Sequence, residues 1–299
     1  MKYFITLLFA SVCLFHFGLC QNNIDWENVE HLNYVHPLLK PKILNHKFKH
    51  LEGRIINGEE VKPHQYPHQA ALFLQMGENV AFCGGSLISK RYILTAAHCA
   101  YGISNFTVIL GAHNIKTNEK TTQTYYTNEK VVHPKWAISQ LLLLNDIALV
   151  KLPQDAELNE FVQPIRLPSS SQSETTFAGL KATILGWGKT SDASNEVSPV
   201  LRHVSNEIES PESCKAIYSG EIPISSRSHI CFSTQNGRGA CNGDSGGPMI
   251  VTDTDNKVTQ VGIASFVSGH GCEADYPTVY TRISSFLDFI ADNSDVKIN

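Results

Sequence analysis

Three short stretches carry residue types that could do chemistry together: Leu94-Thr95-Ala96-Ala97-His98-Cys99, Asn145-Asp146-Ile147-Ala148-Leu149, and Cys241-Asn242-Gly243-Asp244-Ser245-Gly246-Gly247-Pro248. Taken singly, a histidine in an apolar run, an aspartate at the start of a strand and a glycine-rich turn are ordinary structural features. Jointly they offer a hydroxyl, an imidazole and a carboxylate. A serine hydroxyl is a weak nucleophile at neutral pH, so Ser245 would need a base within about 2.6–3.2 Å. His98 suits that task because imidazole both accepts and returns a proton near neutrality. Asp146 would hold the imidazole tautomer and stabilise its cation.

The elements that must position these residues read as short strands. From Pro67 onward, runs such as 91–95, 106–110, 146–152, 182–185 and 258–264 are strand-length, rich in β-branched residues and bounded by Gly, Pro, Asn and Ser. Such spacing predicts an all-β architecture of sandwiches or barrels. The segment Pro168 to Gly179, with Ser169-Ser170-Ser171-Gln172-Ser173, reads as a linker between two halves, placing the boundary at about 166–180. One helix is predicted, near the C-terminus, where Ser284 or Ser285 could cap it and Phe286, Phe289 and Ile290 fall on one face. No internal repeat at a fixed period is visible.

The chain has 299 residues, 42% hydrophobic and 17% charged, ample for a large core or two smaller ones. With a formal net charge of -4 and no run of five basic residues, it lacks the electrostatic footprint of a nucleic-acid binder. Lys2 followed by the apolar stretch from Tyr3 to Ala10 and beyond, ending near Gly18 and Cys20, reads as a cleaved signal over 1–20. A membrane anchor is disfavoured, because the stretch is short for a span and contains His16. Leu141-Leu142-Leu143-Leu144 is far too short to cross a bilayer. A secreted, extracellular protein is therefore expected.

Six cysteines follow the signal: Cys83, Cys99, Cys214, Cys231, Cys241 and Cys272. An even number in an oxidising compartment points to three disulfides, although spacing does not choose among the fifteen pairings. A metal site is not expected: there is no Cys-x-x-Cys and no His-Glu-x-x-His, and Pro63 and Pro67 spoil the His64/His68 pair as a helix face. Residues 21–54 differ from the rest, with His31, His36, His46 and His50, four lysines, no cysteine and little periodicity. They read as a prosegment. It ends at Gly53-Arg54, a basic site before Ile55-Ile56-Asn57-Gly58.

With three motifs in the order His, Asp, Ser and an Ile-Ile-Asn-Gly start, the chain resembles the chymotrypsin-like serine peptidases over residues 55 to about 293. The resemblance implies two antiparallel six-stranded β-barrels with the active site in the cleft between them, in a peptidase domain spanning 55–299. It implies His98, Asp146 and Ser245 as the catalytic residues and Gly243 and Ser245 as the oxyanion donors. It implies cleavage after Arg54, after which the new amino group of Ile55 would pair with Asp244, leaving the uncut chain with Asp244 out of position. Cys83–Cys99, Cys214–Cys231 and Cys241–Cys272 are the implied disulfides.

The specificity pocket also follows from the resemblance. Gly239 stands where trypsin-like members have Asp, so no buried anion awaits Lys or Arg. Counting from Ser265, Val267 and Thr278 occupy two wall positions that are Gly in open pockets, which predicts a slot for small to medium aliphatic side chains, as in elastases. Phe266 stands where Trp is usual, and Ser268-Gly269-His270-Gly271 makes a loop one residue longer than is common. Gly239 also resembles the broad-specificity collagenolytic peptidases of arthropods, in which leucine or phenylalanine would be accepted. Ala112 and Thr122 replace the acidic ligands of the family's calcium loop, leaving Glu119, so neither calcium nor any other cofactor is expected. Asn105-Phe106-Thr107 is a glycosylation sequon. Expected partners are protein or peptide substrates, an activating trypsin-like protease and protein inhibitors, acting on a monomer. An inactive homologue that binds partners would show a damaged triad or oxyanion loop, and His98, Asp146, Gly243 and Ser245 are all present.

Overall fold

Phe106, Val108 and Leu110 are buried while Asn105, Thr107 and Ile109 face outward, the period-2 alternation of a strand with one wet face. The computed structural model describes residues 29–31, 55, 57–136, 143–194, 196–219 and 222–298. The signal reading over 1–20, most of the prosegment including Arg54, and Leu141 and Leu142 lie outside the described residues.

The first group of strands comprises β1 (Val29–His31), β2 (Glu59–Glu60), β3 (Gln69–Met76), β4 (Asn79–Leu87), β5 (Tyr92–Thr95), β6 (Asn105–Leu110), β7 (Gln123–Thr127), β8 (Lys130–Val132) and β9 (Ala148–Lys151). The second comprises β10 (Lys181–Gly186), β11 (Arg202–Glu207), β12 (His229–Phe232), β13 (Pro248–Thr252), β14 (Val258–Phe266) and β15 (Thr278–Arg282). Two short helices, α1 (Pro211–Ile217) and α2 (Leu287–Asn293), complete the order.

Strands β3 to β9 form an antiparallel path β7-β6-β3-β4-β5-β9-β8. Its two ends, β7 and β8, are separated in sequence by Asn128 and Glu129 alone, so they are halves of one bent strand and the sheet closes on itself. The second sheet runs β12-β15-β14-β13-β10-β11-β2 and closes through an antiparallel bridge between Ile208 and Phe232. Two six-stranded antiparallel barrels result, with the two-residue β2 appended to the second. Strand β1 adds to the first by pairing in parallel with β4, an element that the weak periodicity of residues 21–54 did not announce.

Strand β3 shows why the barrels adhere. Ala70, Leu72 and Leu74 point into the first barrel's core with Phe106, Val108 and Leu149. Ala71 and Phe73 point the other way and meet Leu185, Trp187 and Ile250 of the second barrel. A strand buried on both faces reads as a continuous apolar run rather than an alternation, as residues 70–74 of β3 do.

The C-terminal helix forms later than predicted and by a different start. Ile283–Ser285 is a 3₁₀ turn, Phe286 takes the cap position of α2, and neither serine caps it. Ser285 instead donates to the Arg227 carbonyl, and Ser284 to the carbonyl of Ser173. The predicted apolar face holds: Phe286, Leu287 and Ile290 join the first barrel's core, with Phe289 packed against it. Ile290→Ala should therefore destabilise the disulfide-intact protein by about 2–5 kcal/mol, read as a lower denaturant midpoint at unchanged slope.

Candidate active site

Each of the three motifs sits on a turn held by a strand. His98 lies in the turn after β5, Asp146 two residues before β9, and Ser245 in the turn that enters β13. The Asp146 carboxylate is 0% exposed. Its Oδ2 is 2.8 Å from His98 Nδ1 and accepts from Ser265 Oγ at 2.6 Å, while Oδ1 accepts the His98 backbone N–H at 2.9 Å. With Asp146 accepting at Nδ1, that nitrogen carries the proton and Nε2 is the basic one. Thr281 Oγ1 donates to the Asp146 carbonyl at 2.8 Å, so β14 and β15 of the second barrel both hold a residue of the first.

The loop that delivers Asp146 has a further brace. Leu143 and Asn145 both adopt positive φ, and His229, buried on β12, reaches the Leu143 carbonyl through Nε2 at 3.2 Å. Its Nδ1 accepts the Ser225 N–H, which leaves the proton on Nε2, and burial lowers its pKa so that the ring stays neutral. Nothing in the sequence around His229 distinguishes it from an ordinary core histidine.

Ser245 is brought to this constellation by docking its turn onto the first barrel. The Gly84 N–H donates to the Ser245 carbonyl at 2.7 Å. Gly246, at φ +76, lies against Thr95 and Ala96, where a Cβ would stand 2.2 Å from Thr95 Oγ1 and 2.6 Å from the Gly84 carbonyl. Only glycine permits both the dihedral and the approach. Gly243, at φ +98, turns the chain before the nucleophile. Around it, the N–H groups of Asp244, Gly246 and Gly247 donate to Cys241, Ala264 and Asp244 carbonyls, whereas those of Gly243 and Ser245 donate to no acceptor among the described residues. Two adjacent unspent donors can stabilise an oxyanion.

Asp244 is buried. Its carboxylate accepts from Gly188 N–H at 2.8 Å and Cys241 N–H at 2.9 Å, and no cationic side chain among the described residues pairs with it. Burial pushes its pKa up to about 7 against the lowering effect of those two donors. Ile55, 1% exposed, packs into the second barrel's core with Ala182, Ile184 and Tyr280.

A cavity of about 20 Å³ opens beside Ser245, lined by Ala240, Cys241, Asn242, Ser265, Phe266, Val267 and Thr278, among others. Three of the four sequence-predicted pocket residues line it; Gly239 does not. A Cβ on Gly239 would lie 3.0 Å from Thr234 Cγ2 and 3.3 Å from Thr278 Oγ1, so both threonines pack against the glycine. The rim has a brace the sequence reading missed: Asp192 accepts from the N–H groups of Cys272 and Glu273. A solvent-loop aspartate carries no sequence signal for such a role.

Cysteines 83 and 99, 214 and 231, and 241 and 272 are joined as disulfides, which removes them as metal ligands from the two clusters they form with His98 and with Asp192. Both carboxylate oxygens of Glu119 accept backbone N–H groups, from His113 and Asn114. Asn105 is exposed at the start of β6.

A hydroxyl-bearing turn, a carboxylate-oriented imidazole and a closed side-chain slot at the seam of two six-stranded barrels define a serine peptidase. The chain belongs to the Trypsin family, which residues 55–290 match. It is 40% identical over 242 residues to brachyurin of Leptuca pugilator, covering 81% of this chain and 99% of that one. It is 37% identical to chymotrypsin of Phaedon cochleariae, with 88% of each chain covered, and 36% identical to collagenase of Hypoderma lineatum, with 83% and 90% covered. A solved structure of HL collagenase superposes with a TM-score of 0.70 at 34% identity, covering 81% of this chain and all of that one. The protein is a serine endopeptidase.

Two outcomes follow from the site's geometry. Gly246→Ala should lower kcat/KM by about 10²-fold or more, since a displacement near 1 Å in the nucleophile's turn is that costly; steady-state kinetics on the activated protein measures it. The folded Asp244 carboxyl keeps its proton to about pH 7, whereas an unfolded aspartate loses it near 3.8. Between those values the folded state binds the extra proton, so uncut protein loses stability as pH rises through that window. Thermal melts of an Arg54→Gln chain should show this decline, and Asp244→Asn should flatten it.

Proposed function

We propose that the chain is a secreted precursor, with a signal over 1–20, a prosegment over 21–54 and a peptidase domain over 55–299, activated by a trypsin-like protease that cuts after Arg54. In the activated enzyme Ser245 Oγ attacks the amide carbon and passes its proton to His98 Nε2. The oxyanion rests on the N–H groups of Gly243 and Ser245, and the amine departs with the proton, leaving an acyl-enzyme that water resolves. The observation carrying this reading is the hydrogen-bonded set His98–Asp146–Ser265, against which the Gly84 and Gly246 contacts hold the Ser245 turn.

The new ammonium at Ile55 would give Asp244 the cation it lacks. A carboxyl poised near 7 by burial gains most from such a partner, and ionising it fixes the turn bearing both oxyanion donors. On this reading the activation step supplies a charge to the buried Asp244 carboxyl and so fixes the turn that follows it.

The pocket favours small to medium aliphatic side chains before the scissile bond. Val267 and Thr278 put two branched side chains on the pocket's lining, which narrows it against large aromatic rings, and no acidic side chain except Asp244 lines it to receive Lys or Arg. Protein substrates, protein inhibitors and a monomeric, extracellular existence complete the reading. Among the described residues no helix is long and apolar enough to cross a membrane.

Activating the recombinant precursor with trypsin, removing the trypsin, and assaying peptides with Ala, Val, Leu, Phe, Tyr and Arg at the cleaved position tests this. Ala, Val and Leu should be turned over at least about tenfold faster than Tyr and Arg, with Ser245→Ala inactive. An Arg54→Gln chain should stay latent. Dominant Tyr or Arg turnover contradicts the pocket, and full activity without cleavage contradicts the activation step.

A further inference from the structure

Strand β1 is the only described part of the prosegment, and it is seated on the edge of β4, with Val29, Glu30 and His31 opposite Val80, Ala81 and Phe82. Strand β4 pairs along its length with β3 on one edge. On its other edge, β5 takes Ser86 and Leu87, and the Ser245 carbonyl takes the Gly84 N–H. Residues 80–82 of that second edge are covered by β1 and, among the described residues, by no other strand. Val29 is half-buried against the cluster containing Phe73, Phe82 and Trp187, so apolar packing accompanies the ladder. The pairing is parallel, which directs β1 along β4 toward Gly84 and the nucleophile's turn.

This edge lies on a particular side of the reaction. The imidazole that takes the serine proton returns it to the departing amine, so the chain beyond the scissile bond leaves on the His98 side. Cys83, the residue after the β1-paired stretch, is bonded to Cys99, the neighbour of His98. The pocket lined by Ser265–Val267 lies on the other barrel. An exposed sheet edge beside a cleft that must accept extended peptide is a site for β-strand addition.

We infer that the prosegment strand Val29–His31, by occupying the Val80–Phe82 edge of β4, is a built-in competitor of the substrate chain on the leaving-group side of the cleft. The inference rests on the proposed cleavage after Arg54. Tethered to the domain, three residues of ladder act at an effective concentration on the order of millimolar; once Arg54 is cut, the same strand is a weak ligand that dissociates on dilution. The prosegment blocks the leaving-group side only, and the pocket side stays open to small substrates.

Two measurements test this. In the uncut Arg54→Gln chain, replacing Val29→Gly, Glu30→Pro and His31→Gly together should speed amide exchange across Val80–Phe82 about tenfold or more while leaving Phe106–Leu110 unchanged. With cleaved, prosegment-free enzyme, a synthetic peptide of residues 21–36 should raise KM, not lower kcat, for a substrate extending three residues past the scissile bond. It should leave hydrolysis of the matching nitroanilide unaffected, and the triply substituted peptide should do neither. Unchanged exchange in the variant, no inhibition at about 1 mM, or equal inhibition of both substrates each overturns the inference. Nitroanilide hydrolysis that Ser245→Ala abolishes stands or falls with the proposed function alone.

Discussion

The carboxylate of Asp146 has no access to water, and a charge in that position is tolerable only when its lone pairs are filled. Its donors come from both barrels: the backbone and ring of His98 from the turn after β5, and the hydroxyl of Ser265 from β14. The Thr281 hydroxyl of β15 fixes the adjoining carbonyl. The seam is therefore not merely an apolar contact between Phe73 and Trp187. It is a requirement that two sheets arrive in one register, because a shift of either leaves a buried anion short of a hydrogen bond. The same register sets the imidazole's tautomer and plane, so packing and reactivity are enforced by one group.

Asp244 is the counterexample in the same molecule. It is nearly as deeply placed, but has two backbone donors and no cation among the described residues, and burial drives its carboxyl up to about 7. One buried acid is complete in the folded chain and the other awaits a partner. On the proposed activation, that contrast separates two steps: the barrels position the imidazole on folding, while the cation that would complete Asp244 comes from a later cut.

The sequence made legible what is encoded in local chemistry. Strand runs such as 106–110 alternate because one face is wet, and the His98, Asp146 and Ser245 motifs stand out because glycine, cysteine and small residues crowd them. Strand-buried runs such as Gln69–Met76 were harder, since both faces are covered and no period survives. The helix start was misread at Ser284 and Ser285 because a hydroxyl near a helix end can serve the neighbouring chain instead of the cap; here it bonds Ser173 and Arg227. Asp192, His229 and the packing of Thr278 against Gly239 were invisible for a common reason. Each acts through a partner 39 to 86 residues away in sequence, so no window of residues contains the interaction.

Strand β1 escapes a reading of the sequence for a related reason. A three-residue strand has no room for periodicity, and its pairing is set by the vacant edge of β4 rather than by its own sequence. An edge that must later accept many different peptides can recognise them only through backbone groups, which every extended chain carries. A prosegment that borrows this edge needs no specific sequence to hold it, and it must not hold tightly, or the cut that frees Ile55 would leave the cleft filled. Tethering resolves the conflict, because a contact too feeble to survive on a free peptide suffices while the chain is continuous. On the proposed cleavage after Arg54, shielding of the leaving-group side and charge supply to Asp244 would both be governed by one peptide bond.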